Sequence, residues 1–166
     1  MIRGLNLPHS FDFVRLADAH IESCASCYQC ADKKECMVED DFQAILQRFI
    51  DADGIFIISP VYAPIPSKLS ALFERLTSLL FATGIINTAQ NPLVGKRAAV
   101  FYYSSAKIED ETQIKLVMQK FLMVGYSFHE VNFSYINQCS MPNEKYGGDV
   151  VAYVKDTLQS FSFERA

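Results

Sequence analysis

Residues 54–80 read GIFIISPVYAPIPSKLSALFERLTSLL. The stretch opens on Gly54–Ser59, a nearly all-apolar run that suits a central parallel strand covered on both faces. It closes on Ser67–Leu80, where Leu69, Leu72, Phe73, Leu76, Leu79 and Leu80 fall on one helical face. Between them, Ser59–Ser67 holds three prolines. Each fixes its own φ, so the connection is stiff. Ser67 stands where a helix N-cap is expected.

The alternation continues in both directions. Phe11–Leu16 (FDFVRL) alternates as a strand does, and Arg97–Tyr103 (RAAVFYY) is a second apolar strand. Asp40–Ile50 reads as a helix through Phe42, Ile45, Leu46, Phe49 and Ile50, with Asp40 and Gln43 resembling a capping box. Further helices are expected at Thr112–Val124 and Asp149–Ser160, with a strand near Tyr126–Phe133 between them. Strands alternating with helices predict an α/β fold with a parallel sheet, helices on both faces and right-handed crossovers. Ligands of such sheets bind at the carboxyl ends of the strands. The loops of interest therefore follow Leu16, Ile58 and Tyr103.

A chain of 166 residues predicts one domain, 1–166. Apolar residues make up 50% and charged residues 20%, which argues against disorder. The net charge of −4 disfavours a nucleic-acid or anionic-membrane surface as partner. No apolar run reaches the ~18 residues of a membrane span, and Met1–Ser10 does not resemble a signal peptide. The expectation is a cytoplasmic protein.

Four of the five cysteines, Cys24, Cys27, Cys30 and Cys36, fall within thirteen residues. Two-residue spacings let three thiolates converge on one side of a cuboidal cluster, with a fourth reaching in from further along. Bacterial ferredoxins use a closely related run for [4Fe–4S]. Structural zinc on four cysteines and free or redox-active thiols are the other readings of this spacing. Zinc ribbons usually place a longer insert between two cysteine pairs, so the cluster is the better reading. Lys33 and Lys34 would offset part of the thiolate charge. Cys139 stands alone and is expected to be a buried apolar thiol. His9, His20 and His129 form no constellation.

The cysteine run and the Ser59–Pro60–Val61–Tyr62 loop together resemble the iron–sulfur flavoproteins of the NADPH-dependent FMN reductase family. The resemblance runs from about Phe11 to Arg75 and continues more weakly beyond. It implies a flavodoxin-like three-layer fold that binds FMN at the switch point of the sheet. It also implies that Cys24, Cys27, Cys30 and Cys36 ligate a [4Fe–4S] cluster, and that Ser59, Pro60, Val61 and Tyr62 contact FMN. Ser104 and Ser105, in the loop after Tyr103, stand where relatives often carry glycines, and their hydroxyls are candidates for flavin or substrate contact. A homodimer or homotetramer is implied too. The apolar segment Leu76–Ile86 is richer than one helix face requires, which leaves a surplus for a partner.

Against that pattern, the family's first strand, phosphate loop and first helix are missing ahead of Phe11. Their loss would remove the backbone amides and helix N-terminus that neutralise the FMN phosphate. A truncated start is the favoured explanation. The expected function is an FMN-dependent, electron-transferring oxidoreductase, with NAD(P)H, a quinone or a small redox protein as partner. The alternative is a non-catalytic flavodoxin-like remnant with a thiol or zinc-binding loop.

Overall fold

A computed structural model describes residues 10–60, 65–103, 127–128, 152, 155 and 156. In chain order the elements are α1 (Gln29–Lys33), α2 (Phe42–Asp51), β1 (Gly54–Pro60), α3 (Ser67–Ala82), β2 (Arg97–Tyr103) and β3 (Ser127–Phe128). The strands form one parallel sheet in the order β1-β2-β3. Helices joining parallel strands define the α/β class.

The apolar run of β1 pairs along its whole length with β2, from Gly54↔Arg97 to Pro60↔Tyr103. The two strands therefore end level, and the chain leaves both at the same sheet edge. Val61, Tyr62, Ser104 and Ser105 begin the segments that follow and lie outside the described residues.

α3 forms the centre of the core. Leu69, Ala71, Leu72, Phe73, Leu76, Leu79 and Leu80 are buried with Ile55 of β1, Phe42 and Ile45 of α2, and Ile21, Leu93 and Ala98. Leu46, Phe49 and Ile50 of α2 pack against this cluster. The helical periodicity of both segments is thus the face each one buries.

Several expectations need correction. Phe11–Leu16 is not a strand. Among the described residues no strand lies beside it, and an extended segment becomes part of a sheet only when a neighbour takes up its N–H and C=O groups. Val14 and Leu16 still pack against the core, and Phe11 stacks on Phe13 with centroids 6.1 Å apart. β1 pairs only with β2 among the described residues and leaves Ile58 42% exposed, so it is not covered on both faces there. Pro66, not Ser67, is the N-cap of α3, and no side chain bonds there. The surplus in Leu76–Ile86 is smaller than its composition suggests. Leu76, Leu79 and Leu80 are buried in the chain's own core, Ile85 and Ile86 pack on it, and Phe81 alone of these is largely exposed, at 72%.

The expected helix at Thr112–Val124 and Cys139 lie outside the described residues, as does most of Tyr126–Phe133 and Asp149–Ser160. Within the last of these, Ala152, Lys155 and Asp156 are helical and exposed. Among the described residues no helix is long and apolar enough to cross a membrane.

Candidate metal centre

The segment from Ile21 to Asp40 folds back on α3 and carries the cysteines with it. Its middle is the single-turn helix α1, too short to show a helical period in the sequence. Tyr28 precedes α1 and Lys34 follows it, both in left-handed conformation, and Lys34 N–H closes the turn on the Cys30 carbonyl at 3.0 Å. Ser26 is left-handed as well, at φ 51°. These are the only non-glycine residues of positive φ among the described ones, and all three are interleaved with or directly follow the first cysteines. An L residue gives up about 1–2 kcal/mol to adopt that conformation. Alternating handed turns are also how a short backbone curls its N–H groups toward an anion.

Cys24, Cys27, Cys30 and Cys36 line one small cavity together with Tyr28, Met37, Val38, Arg75, Ser78 and Leu79. All four thiols are free. Cys27 is exposed, and the other three are half-buried. Burial pushes the Cys30 thiol above the ordinary cysteine range; a backbone hydrogen bond at Cys30 opposes this, and the nearby Cys36, Cys27 and Cys24 add to the rise. Such mutual repulsion is relieved when a cation sits among the sulfurs. Among the described residues, no three His, Cys, Asp or Glu side chains close on a common point to hold a metal ion.

The cation of the cavity is a residue that sequence reasoning missed. Lys33 and Lys34 are exposed and do not line it; Arg75 does. Arg75 is 1% exposed. Its Nη1 donates to the Asp40 carboxylate and to the Glu22 carbonyl (3.5 Å), and its Nη2 donates to Cys36 Sγ (3.1 Å) and the Val38 carbonyl (3.4 Å). The guanidinium lies over the Phe42 ring, 4.2 Å from its centroid. Its Nε is buried with no acceptor among the described residues. Arg75 continues the apolar face of α3, three residues after Leu72 and four before Leu79. A cation in that stripe was the signal available.

Asp40 completes the arrangement, in a different role from the capping box expected of it. Its side chain is fully shielded from solvent. Oδ2 accepts from Glu22 N–H at 2.8 Å and from Arg75, and Oδ1 accepts from Phe42 N–H at 3.0 Å. Burial alone would push its carboxyl up, but the Glu22 and Phe42 amides and the Arg75 guanidinium outweigh that and hold it below the usual carboxylate range. Gln43 does not reach back to cap the helix; its Nε2 donates to the Cys36 carbonyl at 3.2 Å.

Two further α3 side chains hold the loop and the chain just ahead of it. Cys24 N–H donates to Glu74 Oε2 at 3.3 Å, and Lys68 Nζ donates to the Ala17 and Ala19 carbonyls at 2.7 and 2.6 Å. Lys68→Met is expected to lower stability by about 1.5–3 kcal/mol, the range for hydrogen bonds to a charged donor. The shift of the urea midpoint measures it. His20 is not among the residues that line the cavity, and its Nε2 lies 2.9 Å from Glu22 Oε1.

Of the expected flavin contacts, the structure describes Ser59 and Pro60, at the carboxyl end of β1. Ser59 is buried, and its hydroxyl donates to the Pro60 carbonyl at 3.1 Å.

A parallel sheet of the α/β class agrees with the comparisons to known proteins. The family described as NADPH-dependent FMN reductase matches residues 4–135, and the chain belongs to that family of flavin-dependent oxidoreductases. An iron–sulfur flavoprotein of Methanosarcina thermophila is 35% identical over 65 residues, covering 39% of this chain and 34% of the relative. An iron–sulfur flavoprotein of Methanocaldococcus jannaschii matches with the same identity and coverage. The matched stretch thus spans about a third of the length of these curated relatives. In three dimensions the chain is similar to RosB, solved with bound 8-demethyl-8-formylriboflavin-5'-phosphate. The TM-score is 0.55 at 18% identity, over 82% of this chain and 55% of RosB, a likeness of fold.

Proposed function

We propose that this chain is an FMN-dependent oxidoreductase that passes electrons between flavin and an iron–sulfur cluster held by Cys24, Cys27, Cys30 and Cys36. The observation that carries the reading is the gathering of four free thiols around one cavity with a buried arginine on its wall. The residues present fit such a group. The donor set is four sulfurs, the ligands iron–sulfur clusters take. The Arg75 guanidinium, which already donates to Cys36 Sγ, supplies a positive charge at the cavity suited to an anionic sulfur group. When bound, FMN bridges one- and two-electron chemistry and a cluster supplies single electrons.

The chain's own part is to hold and tune. α3 anchors the cysteine loop through Glu74 and Arg75, and Lys68 holds the chain just ahead of it at Ala17 and Ala19. Half-burial of Cys24, Cys30 and Cys36 limits water at the sulfurs, and exposed Cys27 lies on the solvent side. The level ends of β1 and β2 offer one edge for a planar ligand, where Ser59, Pro60, Val61, Tyr62, Ser104 and Ser105 are the candidate contacts. From Ser67, the first residue of α3, to Arg75 is about 12 Å along the helix at 1.5 Å per residue. NAD(P)H, a quinone or a small redox protein would exchange electrons at the flavin. The chain would act as a single domain within a homodimer or homotetramer.

The test is an ultraviolet–visible spectrum of the chain purified without oxygen, with assays for iron, acid-labile sulfide and FMN. Equal iron and sulfide beneath two resolved flavin bands are expected. Broad absorbance lacking flavin bands would remove the flavin part of the reading. A colourless protein, or one holding zinc, would overturn it in favour of a thiol or zinc-binding remnant.

A further inference from the structure

Arg75 has five N–H donors and contacts that reach both arms of the cysteine segment. On the incoming arm it meets the Glu22 carbonyl, two residues before Cys24. On the outgoing arm it meets Cys36 Sγ, the Val38 carbonyl and the Asp40 carboxylate. Asp40 in turn accepts from Glu22 N–H, so the ion pair joins the two arms at their base. Phe42 closes one face of the guanidinium. The planar fork is thereby fixed in one orientation, with one N–H committed to a sulfur.

We infer that Arg75 is a positioning residue for the cysteine site: it holds Cys36 and the loop's two arms in register and, through its N–H···S bond, sets the reduction potential of the cluster. The inference rests on the reading that these cysteines hold a cluster. A donor to a cluster sulfur stabilises the more negative, reduced state, so hydrogen bonds to the sulfurs raise the potential. A merely structural arginine would stabilise the fold and leave the potential where it was. Lysine keeps the charge but not the fork.

The experiment compares wild type with Arg75→Gln, Arg75→Lys and the double variant Asp40→Asn/Arg75→Gln. The double variant removes both charges together and so avoids stranding the Asp40 carboxylate in the interior. In the metal-free chain, hydrogen exchange is followed by mass spectrometry. Amides of residues 20–24 and 36–40 are expected to exchange about tenfold faster in Arg75→Gln and in the double variant, while β1 keeps its wild-type rates. In the cluster-loaded chain, potentiometric titration is expected to give a lower potential in both variants, with Arg75→Lys between them and wild type.

Unchanged exchange at both arms overturns the positioning role. A wild-type potential in the double variant overturns the tuning role. Should wild type take up no cluster under anaerobic reconstitution, the proposed function and the tuning role fail together, while faster exchange in the metal-free chain would still support the clasp.

Discussion

Asp40→Asn is expected to destabilise the chain by about 3–5 kcal/mol, the cost of leaving a buried ion without its partner. The Asp40 and Arg75 side chains are both fully shielded from solvent. Asparagine fits the space and keeps one acceptor, but its amide carries donors where the Glu22 N–H and the Arg75 guanidinium already donate. Arg75 would retain its charge with no carboxylate to meet it, only the Glu22 and Val38 carbonyls, the Cys36 sulfur and the face of the Phe42 ring. A protein's whole stability is about 5–15 kcal/mol, so the loss would be visible as a large fall in the urea midpoint.

The same substitution has a pH signature. The folded-state pKa of Asp40 lies below its ordinary value of 3.8. Its contribution to stability is therefore full above that value and is lost as pH falls through the folded pKa. The gap between wild type and Asp40→Asn should hold near neutral pH and narrow once the pH drops below about 4. A gap that stayed constant through the acid range would show that the carboxylate is not what holds Arg75.

Most of the scaffold was legible because its signals are local. In α2 and α3 the apolar residues recur at the helical period, and the structure buries those positions. In β1 and β2 the short apolar runs pair along their length. Phe11–Leu16 failed because alternation describes a segment's faces but not its neighbour, and a strand needs the neighbour. α1 was missed because a single turn buries no residue, so it leaves no periodic trace. That four cysteines line one cavity follows from their spacing, since thirteen residues of one loop keep them near each other. Arg75 was passed over because it lies 39 residues from the sulfur it meets. A cation within an apolar stripe has a physical cost that only a partner can offset. That cost was readable from Leu72, Arg75 and Leu79, although the partner's identity was not.

Cys27→Ser should separate metal binding from folding more sharply than any other single change. Cys27 is exposed and lines the cavity, and it contributes nothing to the buried core. Exchanging its sulfur for oxygen removes little apolar burial, so the urea midpoint of the metal-free chain is expected to move by less than about 0.5 kcal/mol. The proposed metal site would respond differently. A serine hydroxyl is a poor substitute for a thiolate toward iron, and a cluster with three sulfur ligands and an open solvent-facing position is prone to loss. Anaerobic reconstitution of Cys27→Ser is therefore expected to leave less than about a tenth of the wild-type iron and sulfide, a drop at the scale by which weakened metal sites lose affinity. Parallel substitution of half-buried Cys30 would mix that loss with a packing change, because Cys30 also packs against the core. Full iron retention in Cys27→Ser would remove Cys27 from the ligand set and leave a site of at most three of these thiols. Loss of iron together with a large fall in the urea midpoint would instead mean that the loop's fold, rather than the sulfur at its rim, depends on Cys27.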